Sequence, residues 1–149
     1  LERKGAAVIV RSCATFTTDL PDDHIEDGAE IIQFGGKSVA EAISEILTRL
    51  GCAVAPLRYA DEHGWELDIK FGKRSLWCQV TFMEFYLVFF EDKSWINELL
   101  GRHHHLYLDI LKRLAQELGQ DLRFHDVLWF LRDEVLTGVA GSKEPISAN

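Results

Sequence analysis

Three consecutive histidines, His103, His104 and His105, are the first residues in this sequence that could bind a metal or move a proton. Their spacing works against a shared ion. On a helix, consecutive side chains point about 100° apart, whereas zinc-binding helices present ligands at i and i+4. The i, i+4 pairs are His103 with Tyr107 and His105 with Asp109. Only the second pair offers two ligands, and a stable site needs a third or fourth. Asp22, Asp23 and His24 lie side by side in a turn-forming stretch, where adjacent residues rarely converge on one ion. The sequence therefore predicts no metal and no cofactor.

The densest group of acids with a histidine is Asp61, Glu62 and His63, followed by Glu66 and Asp68. Two carboxylates near a histidine can do general acid-base work when burial tunes them. A turn and the polar side of a strand are wet places, so the pattern favours a charged rim over a catalytic dyad. Cys13, Cys52 and Cys78 each sit among apolar neighbours, the setting of small core hydrophobes with raised pKa. No serine stands in a Gly-x-Ser-x-Gly elbow. Gly35, Gly36 and Lys37 precede Ser38 as in a phosphate-binding loop, but Ile31 stands where the first glycine of that loop belongs. What remains is a weaker anion site, free amides at a helix N-terminus beside Lys37.

These residues must be positioned by a few elements, and the central one covers residues 65–90. Trp65, Leu67, Ile69 and Phe71 alternate with Glu66, Asp68 and Lys70, the period of a half-buried strand. After Gly72 and Lys73, Leu76, Cys78, Val80 and Phe82 alternate with Trp77, Gln79 and Thr81; after Met83 and Glu84 comes a run apolar on both faces. Turns this short predict a three-stranded antiparallel meander. Trp77 and Gln79 either share the face of Glu66, Asp68 and Lys70 or are shifted to the core, and alternation alone leaves both registers open. If Trp77 is exposed, an aromatic rimmed by those polar residues has the composition of a protein-binding patch.

Strands are also expected over 6–15, 30–34 and 52–59, the last broken by Pro56 and so at an edge. Residues 19–28 read as an acidic loop. A helix over 38–50 is marked by Ser38 as N-cap, Glu41 completing a capping box, and Val39, Ala42, Ile43, Ile46, Leu47 and Leu50 on one face, with Gly51 closing it. A second helix is expected over 95–118, capped by Ser94 and stopped by Gly119. A third is expected over 123–136, where Phe124, Val127, Leu128, Leu131 and Val135 fit a helix, with a strand over 124–130 as the alternative. The predicted core joins Leu67, Ile69, Phe71, Val80, Phe82, Leu87 and Phe89 to Ile43, Ile46, Leu47, Ile110 and Leu114. The fold class is α+β, an antiparallel sheet of about five or six strands with the helices on one face. Residues 1–138 form one domain, and 139–149 a flexible C-terminal tail.

With 24 acidic against 16 basic residues, the net charge of -8 disfavours a nucleic-acid binder, which needs a basic footprint. No apolar run approaches the roughly 20 residues of a membrane span, and widely spaced cysteines of odd number suggest a reducing, cytoplasmic setting. In size, charge and class the chain resembles the single-domain inhibitors and immunity proteins that neutralise toxins. That likeness favours a small acidic binding protein over an enzyme. Its basic protein partner would meet a surface drawn from Asp61, Glu62, His63, Glu66, Asp68, Lys70, Trp77 and Gln79. The alternative is a small-molecule-binding protein or enzyme that uses the Asp61 to Asp68 cluster with histidines from the stretch 102–109.

Overall fold

The computed structural model describes residues 8–93 and 103–148. The strands are β1 (Val8–Val10), β2 (Cys13–Thr18), β3 (Ile25–Asp27), β4 (Glu30–Gln33), β5 (Ala53–Val54), β6 (Arg58–Tyr59), β7 (Trp65–Phe71), β8 (Arg74–Phe82), β9 (Tyr86–Asp92), β10 (Phe124–Phe130) and β11 (Ile146–Ala148). The helices among the described residues are α1 (Lys37–Arg49) and α2 (His105–Gln120). Seven strands form one antiparallel sheet in the order β10-β2-β9-β8-β7-β5, with β6 also on β7. The pairs β1–β11 and β3–β4 are separate ribbons. The fold is α+β as the sequence predicts, with the meander at its centre and the Pro56 segment on its edge.

Alternation in β7 and β8 survives intact. Leu67, Ile69, Leu76, Cys78 and Val80 are buried beneath α1 and α2, in one core with Ile43, Ile46, Leu47, Ile110, Leu111, Leu114 and Leu118. The Tyr107 hydroxyl donates to the Phe90 carbonyl at 2.6 Å and ties α2 to the sheet. The third strand differs from expectation. Its inward residues are Tyr86, Val88 and Phe90, while Leu87 and Phe89 turn to the opposite face. A run apolar at every position carries no alternation, so the register Val80↔Val88 and Cys78↔Phe90 decides.

Residues 123–136 are not a helix. Phe124–Phe130 is a strand that covers the free edge of β2 and is followed by turns. A β-bulge lies between His125 and Leu128, with Asp126 at a positive φ of 56°. Phe124 opposes Thr18 and Trp129 opposes Ala14, so β10 spends one extra residue and both Phe124 and Trp129 reach the core. That extra residue disguised the strand, because it breaks the period-two spacing between Phe124 and Trp129.

Ser38 is not the cap of α1. The helix starts one residue earlier, after Gly36, and its free amide is met by Asp23: the Ser38 N–H donates to Asp23 Oδ2 at 2.7 Å. α2 begins at His105, with His104 Nδ1 accepting the Leu106 N–H at 3.1 Å, and it runs through Gly119. The expected start at residue 95 and the Ser94 cap lie outside the described residues. The stretch 6–15 divides into β1 and β2, and the acidic loop contains β3. In the expected flexible tail, β11 pairs with β1, and Ser142 bridges Trp129. Backbone groups that composition assigned to solvent are used there in pairing.

Candidate protein-binding surface

Both described helices pack on the inward side of the sheet, leaving the polar side of the meander outward. The β7–β8 register puts Glu66 opposite Gln79, Asp68 opposite Trp77 and Lys70 opposite Ser75. Trp77 and Gln79 therefore share the face of Glu66, Asp68 and Lys70. Trp77 is half-buried at the centre, its indole N–H donating to Glu66 Oε1 at 3.2 Å. A hydrogen-bonded line continues along the face, from Gln79 Nε2 to Thr81 Oγ1 at 3.2 Å and from the Thr81 hydroxyl to the His63 carbonyl at 2.7 Å. It joins the sheet to the short 3-10 turn Asp61–His63, whose three side chains are exposed.

A residue that sequence reasoning passed over organises the charges. Arg58 on β6 donates from Nε to Asp68 Oδ2 at 2.9 Å and from a terminal nitrogen to Asp68 Oδ1 at 3.2 Å, and it also meets Glu66 Oε1 at 3.0 Å. These hydrogen bonds hold the Asp68 carboxyl below its ordinary pKa and the Arg58 guanidinium above its own. Lys93 Nζ stands 3.9 Å from Asp68 Oδ1, and Lys70 Nζ donates to Ser75 Oγ at 2.6 Å. The two sheet carboxylates are thus compensated, whereas at the rim Glu62 has His63 Nε2 at 3.9 Å and Asp61 has no ion pair among the described residues. Only the β6–β7 pairing, which needs the break at Pro56, brings Arg58 here. Toward β10 the same face is covered: the Arg132 guanidinium lies over the Phe89 ring at 4.9 Å and pairs with Glu91.

The remaining candidates do not join this surface. His104 lies near Arg74 and Asp92, at the end of β7 opposite to Asp61–His63, and desolvation holds its pKa below the usual value. A seven-residue strand separates the groups by roughly 20 Å. His104 and His105 stack at 4.4 Å, His103 lies on Tyr107, and Asp109 pairs with Arg113 instead of binding alongside His105. Among the described residues no group of three His, Cys, Asp or Glu is arranged to hold a metal. Cys13, Cys52 and Cys78 are buried free thiols; burial pushes Cys13 up to about 12 and Cys52 to about 11, and raises Cys78 as well.

Beside Gly35, Gly36 and Lys37, one amide of the helix N-terminus, that of Ser38, is met by Asp23, the protein's own anion. The close fit requires glycine, since a Cβ on Gly35 would lie 2.5 Å from the Asp22 carbonyl oxygen, which accepts the Gly36 N–H at 2.7 Å. Lys37 extends over the Trp65 ring at 5.7 Å. Comparison with protein-family models, curated proteins and solved structures finds no match.

Proposed function

We propose that this chain is a protein-interaction module of inhibitor or immunity type, which presents its Trp77-centred sheet face to a basic protein partner. The observation that carries this reading is the register of Trp77 opposite Asp68 and Gln79 opposite Glu66, on the side of the sheet away from α1 and α2. A half-buried indole already oriented by a carboxylate loses little freedom on binding, which is the property of an aromatic anchor. The net charge of -8 supports a basic partner, by steering it in, and speaks against nucleic acid. Buried free thiols are consistent with a reducing, cytoplasmic setting. No described helix is long and apolar enough to cross a membrane.

The alternative, a small-molecule site joining the Asp61 to Asp68 cluster with the histidines, gains no support from groups at opposite ends of β7. The experiment is capture of a partner on immobilised protein, followed by association kinetics at two ionic strengths for wild type, Trp77→Ala and the double reversal Glu66→Lys/Asp68→Lys. The reading fails if all three proteins bind the captured partner alike.

A further inference from the structure

The β3–β4 ribbon stands apart from both the main sheet and the core. Among the described residues its strands pair only with each other, in the register Glu26↔Ile31 and Asp27↔Glu30, so that each has one edge without a described partner. An isolated two-stranded ribbon is marginal in water, and this one is held at its base. Gln33 Nε2 donates to the Asp23 carbonyl at 2.8 Å, the Phe34 N–H to the Tyr59 hydroxyl at 2.9 Å, and the Trp65 indole to the Phe34 carbonyl at 3.3 Å. Beyond that base Ile25, Ile31 and Ile32 are 48%, 41% and 52% exposed. Three branched apolar side chains on a polar-edged ribbon are a hazard unless something covers them.

Charge selects what covers them. Residues 19–34 hold six of the chain's 24 acidic residues, Asp19, Asp22, Asp23, Glu26, Asp27 and Glu30, and no Lys or Arg. Among the described residues no Lys or Arg ion pair reaches any of the six; His24 meets Glu26 and His125 meets Asp19. This contrasts with the sheet face, where Arg58 and Lys93 compensate Glu66 and Asp68. A second copy of this chain would set acidic ribbon against acidic ribbon, so the complementary occupant is basic.

We propose that the β3–β4 ribbon is a docking arm that takes an extended, Lys- or Arg-rich segment of a partner protein along its open edge. Backbone pairing supplies affinity, the isoleucines cover the partner's alternate apolar side chains, and the carboxylates select its charge. The proposal rests on the protein-binding reading and adds to it a second contact, adjoining the Asp61–His63 rim through Tyr59 and Trp65.

The test uses the full chain and three fluorescent peptides: one alternating Lys and Arg with Val and Thr, its counterpart with Glu at the basic positions, and a basic control interrupted by proline. Anisotropy is measured at low and physiological ionic strength for wild type, Glu26→Lys/Asp27→Lys/Glu30→Lys, and Trp77→Ala, with circular dichroism confirming equal folding. The basic, strand-forming peptide should bind wild type, weaken as salt rises, and lose at least about tenfold in affinity on the triple reversal. The acidic and proline peptides should not bind. Absence of binding to wild type, equal binding to the triple reversal, or equal binding of the proline peptide overturns the arm. Loss with Trp77→Ala but not with the reversal discards the arm and keeps the sheet-face reading, whereas the opposite pattern keeps the arm and discards the sheet face. A dimer in sedimentation that dissociates on Ile31→Thr/Ile32→Thr assigns the ribbon to a second copy and overturns the proposal.

Discussion

The carboxylate of Asp23 accepts the backbone N–H of Ser38 at 2.7 Å, across fifteen residues of chain. One residue thus serves two elements: its side chain caps α1, and its backbone carbonyl accepts the Gln33 amide at the base of the β3–β4 ribbon. Removing the side chain should loosen the cap and leave the carbonyl contact in place. Asp23→Ala is expected to cost about 1 kcal/mol in urea denaturation, the usual worth of a helix cap, while Asp23→Asn should retain most of that stability. Equal loss with both substitutions would show that the carboxylate's charge, not its capping oxygen, matters.

Gly64 separates the Asp61–His63 turn from β7 with φ at +87°, and a Cβ there would lie 2.1 Å from the Val80 carbonyl oxygen. Gly64→Ala must therefore move backbone as well as accept a strained conformation, at a cost of at least about 2 kcal/mol. Thermal unfolding measures it. Gly28, which has nothing within 4 Å of its would-be Cβ, is the control for positive φ alone and should cost less as Ala.

Arg58 makes stability depend on pH through Asp68. The folded Asp68 pKa is depressed below its unfolded value, chiefly by the Arg58 hydrogen bonds, so the native state binds fewer protons than the unfolded chain. The contribution is fully present above the ordinary carboxylate pKa of about 4 and is lost as pH falls through the lower folded value. Asp68 is 44% exposed, and solvent limits the effect to about 1 kcal/mol or less. Arg58→Met should accordingly flatten the acid limb of stability against pH without shifting the neutral baseline by more than that amount.

None of the three thiols should react with an aromatic disulfide reagent in the native protein. Cys13, Cys52 and Cys78 are buried, and burial keeps each of them protonated at neutral pH. All should react at once in denaturant. A single fast thiol in the folded state would place one of them at a locally opening site.

Ile46 is fully buried between α1 and the sheet, so Ile46→Ala should cost about 2–5 kcal/mol. Trp77→Ala should be milder for folding, because the ring is only half-buried. At a partner interface it should raise the dissociation rate by an amount worth about 2 kcal/mol. Denaturation and surface kinetics on the same two variants separate these roles.

The parts of the fold legible in the sequence are those in which a local period meets a local boundary. Trp65 to Phe71 and the strand after it alternate cleanly, and the apolar face of α1 is closed by Gly51, so their inward faces could be read directly. Long-range pairings hid the rest. The Asp126 bulge breaks the period of β10, the apolar character of both faces of β9 conceals its register, and Asp23 supplies from a distant turn the cap assigned to Ser38. At the surface, alternation left two registers open for Trp77 and Gln79, the β7–β8 pairing puts them on the face of Glu66, Asp68 and Lys70, and Arg58 was missed because the pairing of β6 with β7 brings that guanidinium to Glu66 and Asp68.

The β1–β11 ribbon pairs Val8 with Ala148 and Val10 with Ile146. Tension applied through the two flanks of this segment would enter at the Val8–Ala148 end and act across the ladder, loading its hydrogen bonds one after another and not all together. In this geometry the ribbon peels, so under traction the outer pairing yields first and the bonds of Arg11 to Pro145 and Ser147, which close the inner end of the same ribbon, must open after it before the load reaches the main sheet.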